Sequence, residues 1–521
     1  MELISGMEDN EINGMKDHMF LGRKAIYTSR DPEKIDENSI PAIVNGAMQR
    51  HLMNRQEIIY LFKYFRGNQP ILYRAKEVRP EINNKLVINN AYSIVRNSTG
   101  YFLGEPIQYT AKEDEDSENV LKLNTFMDSE NKAQEDMKLA QDASICGTAY
   151  RLVVVDDAGE EDEAPFEIPT LEPWNTFVIY SSKAGHKPLL GVTYSSLLDD
   201  NGNVSGTLYT VYDRKFRYRY SVKGGLTTEI KAADMVGDPL AHFLGAMPII
   251  EYPNNEFEIG DFEVVMTILD AISQLHSDRM NSIQQVVNSV LVFVGCHLKT
   301  KEENKARGNG NTSDYEKLQQ YGAMELPATG STSKPDVKYV SASVDQNEAE
   351  TLAQTLIDYA YAISGIPDRK ERSSGGGDTG DAVYLRDGFQ SLELVARTKE
   401  RNFKKSERQT LRIVCRILKV FNKIDLKPMQ IDVKFIRNRT NNLLNKSQAA
   451  SNLQSTGLFH PEDIISLIGV TDDPKQMAER GQKYKEEQAQ KAAASGQGQV
   501  AETPKTLGEG NNPDDTTDGE E

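Results

Sequence analysis

The stretch from Gly260 to Val294 constrains the fold more than any other part of the chain. Its apolar residues recur at steps of three, four or a near multiple, with polar residues between them. This pattern predicts an amphipathic helix of about 35 residues, roughly 50 Å long at 1.5 Å per residue. Because such a length exceeds what one small core can cover, it also indicates packing between copies of the chain. The apolar positions are Phe262, Val265, Leu269, Ile272, Leu275, Ile283, Val286, Val290 and Val294.

Helical patterns recur on both sides of this segment. One runs from Ile43 to Phe62, and another from Asn83 to Thr99 with Gly100 as its expected cap. A helix is predicted from Asp345 to Ser364, and a very long one from Asp381 to Phe421 with a possible kink at Gly388. Two or three short helices are expected between Ser447 and Ala494.

Strand patterns concentrate between Tyr150 and Tyr220. Short runs rich in Val, Ile, Tyr and Thr are separated there by turn residues, and Asp200 to Asn203 is a hairpin-type turn. Further strands are expected at 337–341 and 427–436. The sequence therefore predicts an α+β fold with a mixed or antiparallel sheet.

Two segments carry clustered basic residues. The turn-rich insert at 296–342 contains Lys299, Lys301, Lys305 and Arg307, which suit either contact with DNA or an acidic partner, or a solvated loop. The run at 368–378 combines three basic residues with three consecutive glycines, which lose the most entropy on ordering, so it predicts a mobile loop. Its members of interest are Arg369, Lys370, Arg372, Gly375, Gly376 and Gly377.

Charge and composition exclude several classes of protein. The net charge is −18, and from Glu486 to Glu521 nine acids face two lysines, so that tail holds −7 and the rest −11. This balance disfavours tight nucleic-acid binding but suits a surface that DNA passes without sticking. No run approaches the ~18 apolar residues of a membrane span. The three cysteines form no CxxC pair, which indicates a reducing place of synthesis in a cytoplasm.

No motif for catalysis is present. The chain has no Walker A pattern, no HExxH and no GxSxG, so we expect no catalytic site, no metal and no cofactor. Paired acids such as Asp156 and Asp157 could hold a metal for nuclease chemistry. Solvated turn carboxylates are the preferred interpretation, and a metal-dependent nuclease stays the less favoured alternative.

The order of short motifs resembles the portal proteins of siphovirus-type phages of Gram-positive bacteria. Each motif alone is weak, but together they cover roughly residues 40 to 470 in the family's order. They lie at Tyr64 to Ile71, Asn83 to Leu86, Thr99 to Ile107, Cys146 to Tyr150, Pro248 to Asn255, Gly260 to Glu263, Ser277-Asp278, Gly365 to Asp368, Thr379 to Ala382 and Phe435 to Asn438.

The resemblance implies a portal fold assembled as a cyclic ring, a dodecamer in the virion. Its implied parts are an N-terminal arm (1–39), a wing (40–255), a first stem helix (256–295), a clip (296–342), a second stem helix (343–366), a tunnel loop (367–380), a long wing or tunnel helix (381–429), a crown (430–490) and an acidic tail (491–521). The implied subunit interface of the stem is Phe262, Val265, Leu269, Ile272, Leu275, Ile283, Val286 and Val290.

The implied function is passage of double-stranded DNA into and out of a capsid at its unique vertex. The clip, with its basic cluster, would dock the terminase large subunit and later the head-completion adaptor. Capsid and scaffolding proteins are further implied partners, contact with DNA is transient, and no membrane is involved. Another connector or adaptor ring is the main alternative, although such proteins are usually much shorter.

Overall fold

The computed structural model describes residues 22–77, 79–156, 163–287, 290–294, 298–308, 310–321, 336–340, 346–367, 389–422, 424–437, 443–457, 460–461, 464–465 and 474–495. The chain divides into two compact units, residues 1–439 and 440–521. The first unit holds helices α1 (Ile40–Phe65), α2 (Asn90–Leu103), α3 (Ser117–Ser129), α4 (Lys132–Cys146), α5 (Met266–Val287), α6 (Lys301–Ala306), α7 (Asp314–Tyr321), α8 (Gln346–Ser364) and α9 (Phe389–Phe421). The second unit holds α10 (Leu443–Ser455) and α11 (Pro474–Ser495).

Most strands of the first unit belong to two antiparallel sheets, so the α+β prediction is confirmed. The larger sheet has the order β1-β7-β8-β9-β10-β11, in which only the β1–β7 pair is parallel. Its strands are β1 (Ile26–Thr28), β7 (Thr176–Ser181), β8 (Pro188–Leu198), β9 (Val204–Tyr212), β10 (Phe216–Val222) and β11 (Leu240–Ala241). The smaller sheet has the order β12-β3-β6, formed by β12 (Ile249–Pro253), β3 (Thr148–Leu152) and β6 (Thr170–Leu171).

Three further strand pairs complete the described sheets. They are β4 (Val154–Val155) with β5 (Phe166–Glu167), β13 (Val290–Val294) with β14 (Asp336–Val340), and β15 (Ile431–Lys434) with β2 (Gln108–Ala111). The pairing of β15 with β2 ties the start of the segment predicted as the crown, residues 431–434, to the first unit.

The β8–β9 hairpin forms where turn chemistry predicted it. The Asp199 carboxylate accepts hydrogen bonds from the backbone N–H groups of Asn201 and Asn203 at 2.9 and 2.8 Å. This is the local Asx-type bonding by which Asp and Asn favour turns over regular structure.

The α4-to-β3 turn explains one of the family motifs. Gly147 ends α4 with φ of +87°, a left-handed conformation that glycine adopts without strain. A Cβ placed on Gly147 would lie 1.8 Å from the carbonyl oxygen of Glu258. Both the backbone conformation and the close approach therefore require glycine between Cys146 and Thr148.

Three main cores hold the first unit together. One packs α9 against α2, α3, α4 and the smaller sheet, with Leu411 and Val414 fully buried. A second packs the first half of α1 on the larger sheet. The third gathers the second half of α1 with α2, α5 and α8. Fully burying one such aliphatic side chain stabilises the fold by roughly 1.5–3 kcal/mol.

Two helix predictions need correction. The segment 260–294 is not one helix, because α5 ends at Val287 and Val290–Val294 pairs as a strand with Asp336–Val340. A run of β-branched and aromatic residues favours a strand, and periodicity alone cannot distinguish it from a helix turn. Helix α2 begins at Asn90, not Asn83, and passes through Gly100 to Leu103. The Asn89 side chain caps it by accepting the Tyr92 N–H.

Candidate functional site

The two predicted stem helices, α5 and α8, pack against each other through small side chains. Ala349, Ala353 and Ala360 of α8 are buried, with Ala360 in the third core beside residues of α5. The Arg279 guanidinium donates to the Glu350 carboxylate across the pair. Alanine allows the two backbones to approach closely, so the pair forms a compact unit that we call the stem pair.

An extended segment covers the polar face of α5. The backbone N–H groups of Asn84, Leu86 and Ile88 donate to Asn281 Oδ1 (2.8 Å), Ser277 Oγ (2.9 Å) and Ser273 Oγ (3.2 Å), respectively. Two extended residues rise about 6.6 Å, close to the 6 Å that four helical residues rise. Every second backbone N–H of the extended segment therefore lies opposite every fourth side chain of α5. This contact accounts for the motifs at residues 83–86 and 277–278, which lie on its two sides.

The predicted stem-interface residues fall into three groups. Phe262, Val265, Leu269 and Ile272 have no exposed area and belong to the third core of their own protomer. Leu275 is half-buried and Ile283 is 47% exposed. Val286 and Val290 have side chains outside the described part of the chain. The first group corrects the prediction, because the protomer itself already covers the side chains assigned there to a second copy.

On the described part of the stem pair, the most exposed large apolar side chains lie on α8. Leu352, Tyr359 and Ile363 are 51%, 58% and 57% exposed. Their spacing of seven and four residues puts them along one side of the helix. We call this surface the α8 stripe. Its side chains are large and exposed, whereas the alanines of α8 are small and buried. Exposed apolar surface of this kind marks a contact with another molecule.

A buried lysine joins the start of α5 to α9. Lys399 Nζ donates to Ser98 Oγ and Ser144 Oγ at 2.8 Å each, and to Asp261 Oδ2 at 2.5 Å. Its side chain is 7% exposed. All three ammonium protons thus have partners in this arrangement, which offsets the cost of burying the charge. We call this group the Lys399 junction.

A second buried group of charges lies beneath α9. Arg151 Nη2 donates to Asp136 at 2.6 Å, Lys132 pairs with Asp136 at 2.6 Å and with Glu407 at 3.2 Å, and Arg151 Nη1 lies 3.4 Å from Glu407. Burial by itself raises the pKa of Glu407, but the charges of Lys132 and Arg151, together with hydrogen bonds from two buried tyrosines, hold that pKa below its ordinary value. The two cations balance the two carboxylates, and the side chains are 0–5% exposed. This ionic cluster fastens α9 to α4 and to the smaller sheet.

The residues of the predicted basic loop, Arg369, Lys370, Arg372, Gly375, Gly376 and Gly377, lie outside the described residues, as do the predicted helix start at Asp381 and the kink at Gly388. Ile366 before this segment and Leu392 after it are both buried in the third core. The two ends of the predicted loop are therefore anchored in the same core.

The basic cluster of the insert is partly neutralised. Lys301 lies 3.7 Å from Glu316, and Lys299 is half-buried, with its backbone N–H donating to Asp314. Lys305 and Arg307 are exposed. Helix α6 begins with a capping box between Thr300 and Glu303, as its sequence favours. The four residues therefore do not form one concentrated positive surface.

Helix α9 has a basic face that was not predicted from the sequence. Between Arg397 and Lys419 the helix carries nine Lys or Arg against two Glu. Arg401, Lys405, Arg408, Arg412 and Arg416 are exposed and recur at steps of four, three, four and four. The signal was available, because this spacing puts all five on one side of a helix.

The carboxylates considered for nuclease chemistry do not form a described site. Asp156 donates its backbone N–H to Pro165, and Asp157 lies outside the described residues. Nowhere in the described ranges do three or more His, Cys, Asp or Glu side chains lie together as a metal site requires. None of the described helices combines the length and apolar character needed to cross a membrane.

Comparison with known proteins gives consistent matches. Residues 48–491 match the family described as "Phage portal protein, SPP1 Gp6-like". The portal protein of Bacillus phage SPP1 is 23% identical over 393 residues, which cover 73% of this chain and 72% of that protein. Two solved structures are similar at a TM-score of 0.37. They are the neck of an empty GTA particle computed with C6 symmetry (16% identity, 73% of this chain and 90% of that chain) and the virion of a native gene transfer agent particle (14% identity, 80% and 94%).

Proposed function

The chain belongs to the SPP1 Gp6-like family of phage portal proteins, and on this premise we propose how it assembles and passes DNA. Portal proteins sit in the virion at the capsid vertex, and the family is structural rather than enzymatic. The DNA-packaging role follows from membership of the family. The match over residues 48–491 carries this conclusion, because it spans the wing, the stem pair and α9 together. It also favours a portal ring over a short adaptor ring or a nuclease.

In the proposed assembly, copies of the chain form a cyclic ring, a dodecamer in the virion, around a channel for double-stranded DNA. The α8 stripe supports this proposal, because Leu352, Tyr359 and Ile363 present apolar surface that the protomer leaves open. A cyclic ring buries the same patch in every subunit against a complementary surface of its neighbour. We propose that α8, rather than the buried side of α5, supplies the stem contact.

We assign the other parts on the same premise. The wing comprises the two sheets with α1 to α4 and α9, and the clip comprises residues 296–342 with the β13–β14 pair. The tunnel loop lies between α8 and α9, and the crown lies in the unit from residue 440 onwards. The clip docks the terminase large subunit and then the head-completion adaptor, while capsid and scaffolding proteins contact the rest of the ring. Synthesis takes place in the host cytoplasm, and the chain catalyses no reaction.

Electron microscopy of the purified full chain, with its native mass, tests the assembly. We expect rings with a central channel and a mass near that of a dodecamer. A monodisperse monomer or dimer that stays so after capsid and scaffolding proteins are added would contradict the proposal. The adaptor alternative predicts rings that dock onto filled heads and do not serve packaging.

Deletion of Ser374 to Gly377 tests the tunnel loop. The deletion removes the three glycines that would let this segment move as DNA slides. We expect rings of normal mass and a large loss of packaged DNA in a packaging assay. Replacement of the same four residues by Gly-Ser repeats is the matched control and should package normally. Normal packaging by the deletion variant would contradict the assignment.

A further inference from the structure

A groove of about 820 Å³ lies between α9 and the strand ends and turns of the larger sheet around Lys187 and Arg214. From α9 it is lined by Arg401, Lys404, Lys405, Arg408 and Arg412, and from the opposite wall by Lys187 and Arg214. Its described lining contains seven basic residues and neither Asp nor Glu. The groove is therefore strongly positive although the whole chain has a net charge of −18. We call it the α9 groove.

Three arginines of the groove form no ion pair with a carboxylate among the described residues. Within the described part of the chain, no carboxylate oxygen lies within 4.0 Å of the guanidinium groups of Arg401, Arg408 or Arg412. Lys404 at the margin has Asp432 at 3.7 Å, and Arg214 donates to the Gly245 carbonyl at 2.8 Å. The central arginines are therefore available to an anionic ligand.

A glycine in the wall opposite α9 leaves room for one further arginine of the helix. Gly245 has φ of +66°, and a Cβ on it would lie 1.9 Å from the Arg416 guanidinium. Glycine at this position therefore allows Arg416 to rest against the wall. It continues the line of Arg408 and Arg412 along the helix.

We propose that the α9 groove binds the phosphate backbone of double-stranded DNA without regard to its base sequence. This inference deepens the proposed function and rests on it, since it names a DNA-contacting surface outside the tunnel loop and the clip. Arginine presents a planar fork of donors that matches the oxygens of a phosphate, and three arginines on successive turns can follow a repeating anionic chain.

The composition of the groove favours nucleic acid over a protein partner. A protein interface normally centres on aromatic or aliphatic anchors, with charges of both signs at the rim. Here more than half of the lining residues are basic, and the two larger apolar ones, Met247 and Ile413, are themselves buried in the protein. A uniformly cationic lining suits a uniformly anionic polymer, whose binding gains from the release of condensed counterions.

The test compares two sets of three Arg-to-Gln substitutions in the full chain. The test variant is R401Q/R408Q/R412Q in the groove, and the control is R50Q/R96Q/R219Q, three exposed arginines elsewhere. Native mass first establishes whether wild type and variants form rings. Binding of a fluorescent DNA duplex of about 30 base pairs, long enough for several phosphate contacts per site, is then measured by anisotropy over a salt series.

We expect wild type and control to bind equally, with log affinity falling linearly against log salt. Losing three phosphate contacts lowers that slope by about 2.7, which weakens binding at 0.1 M salt by about 500-fold relative to the difference from wild type at 1 M salt. Two unrelated DNA sequences should behave alike. If the melting temperature of the triple variant drops, the single variant R408Q replaces it, with an expected slope change of about 0.9.

Three results would overturn the inference. Rings of the test variant that bind DNA as wild type does remove the groove from DNA contact while leaving the proposed function intact. Wild-type rings with no measurable DNA binding do the same. Loss of ring assembly in the test variant alone would identify the occupant as an acidic surface of a second copy. Failure of wild type to form rings is a different outcome, which counts against the proposed assembly.

Discussion

Beneath α9 the wing buries four charged side chains that neutralise one another, whereas the stem pair leaves three large apolar side chains of α8 in solvent. In the wing, each buried charge has opposite charges within 3.4 Å, and the surrounding core is closed. In the stem pair, α5 is covered by α1, α2 and the 84–88 segment, while α8 is covered on one side only. The protomer thus satisfies the charges buried beneath α9 by itself, whereas the α8 stripe is left for the proposed contact with another copy.

Substitution of Arg151 by Met should have the largest effect on protomer stability. It leaves Asp136 and Glu407 buried with Lys132 as their one remaining strong cation. Breaking a buried pair from one side costs about 3–5 kcal/mol of unfolding free energy. Urea denaturation at fixed protein concentration measures this loss. Arg50→Met on the exposed face of α1 is the control, and a loss below about 1 kcal/mol for Arg151→Met would show that the ionic cluster does not fasten the wing.

Asp142 of α4 offers a smaller test of charge burial in the wing. Burial is the main cause that raises the pKa of Asp142 from 3.8 to about 7. Because the folded-state pKa is the higher one, the stability from this group is present at acid pH and is lost as pH rises to about 7. Asp142→Asn stays neutral, so its stability relative to wild type should grow by about 2 kcal/mol between pH 5 and 8.

Denaturation at both pH values measures this growth, with the exposed Asp200→Asn as control. A difference between Asp142→Asn and wild type that stays constant with pH would mean that the carboxyl is ionised in the folded state throughout. The wing would then carry a charge whose balance the present geometry does not explain.

Leu352→Asp should have the smallest effect on the protomer and a decisive one on assembly. The side chain is 51% exposed, so unfolding free energy should change by no more than about 0.5 kcal/mol. A carboxylate in the α8 stripe should nevertheless prevent rings, because twelvefold repetition places a charge at every stem contact. Native mass and electron microscopy measure the result. Leu121→Asp, on a wing helix and 66% exposed, is the matched control and should form rings.

Much of the fold could be predicted from local pattern. The helices at 40–65 and 346–364, the strands of the larger sheet and the hairpin turn at Asp199 follow from periodicity and turn chemistry, which act between near neighbours in sequence. Gly147 is a similar case, since a motif pointed to it before the structure gave its left-handed φ. These features need no information about distant parts of the chain.

The predictions that failed concern segments whose structure depends on contacts with residues far away in the sequence. The apolar face of α5 looked like a subunit interface because its partners, α1, α2 and α8, are remote in sequence. The strand at Val290–Val294 depends on its partner at 336–340. Asn83 to Asn89 does not continue α2, since its N–H groups bond to side chains almost two hundred residues away on α5. The basic face of α9 was locally visible, but the whole-chain charge of −18 concealed it.

The Lys399 junction bears on how the ring responds to force. One ammonium group holds the end of α2, the end of α4 and the start of the stem to a single turn of α9. Hydrogen bonds weaken steeply when stretched, so a slip of α9 of about an ångström strains three attachments at once. The joint is therefore stiff, and a displacement of α9 at Lys399 reaches the segments around Ser98, Ser144 and Asp261 together.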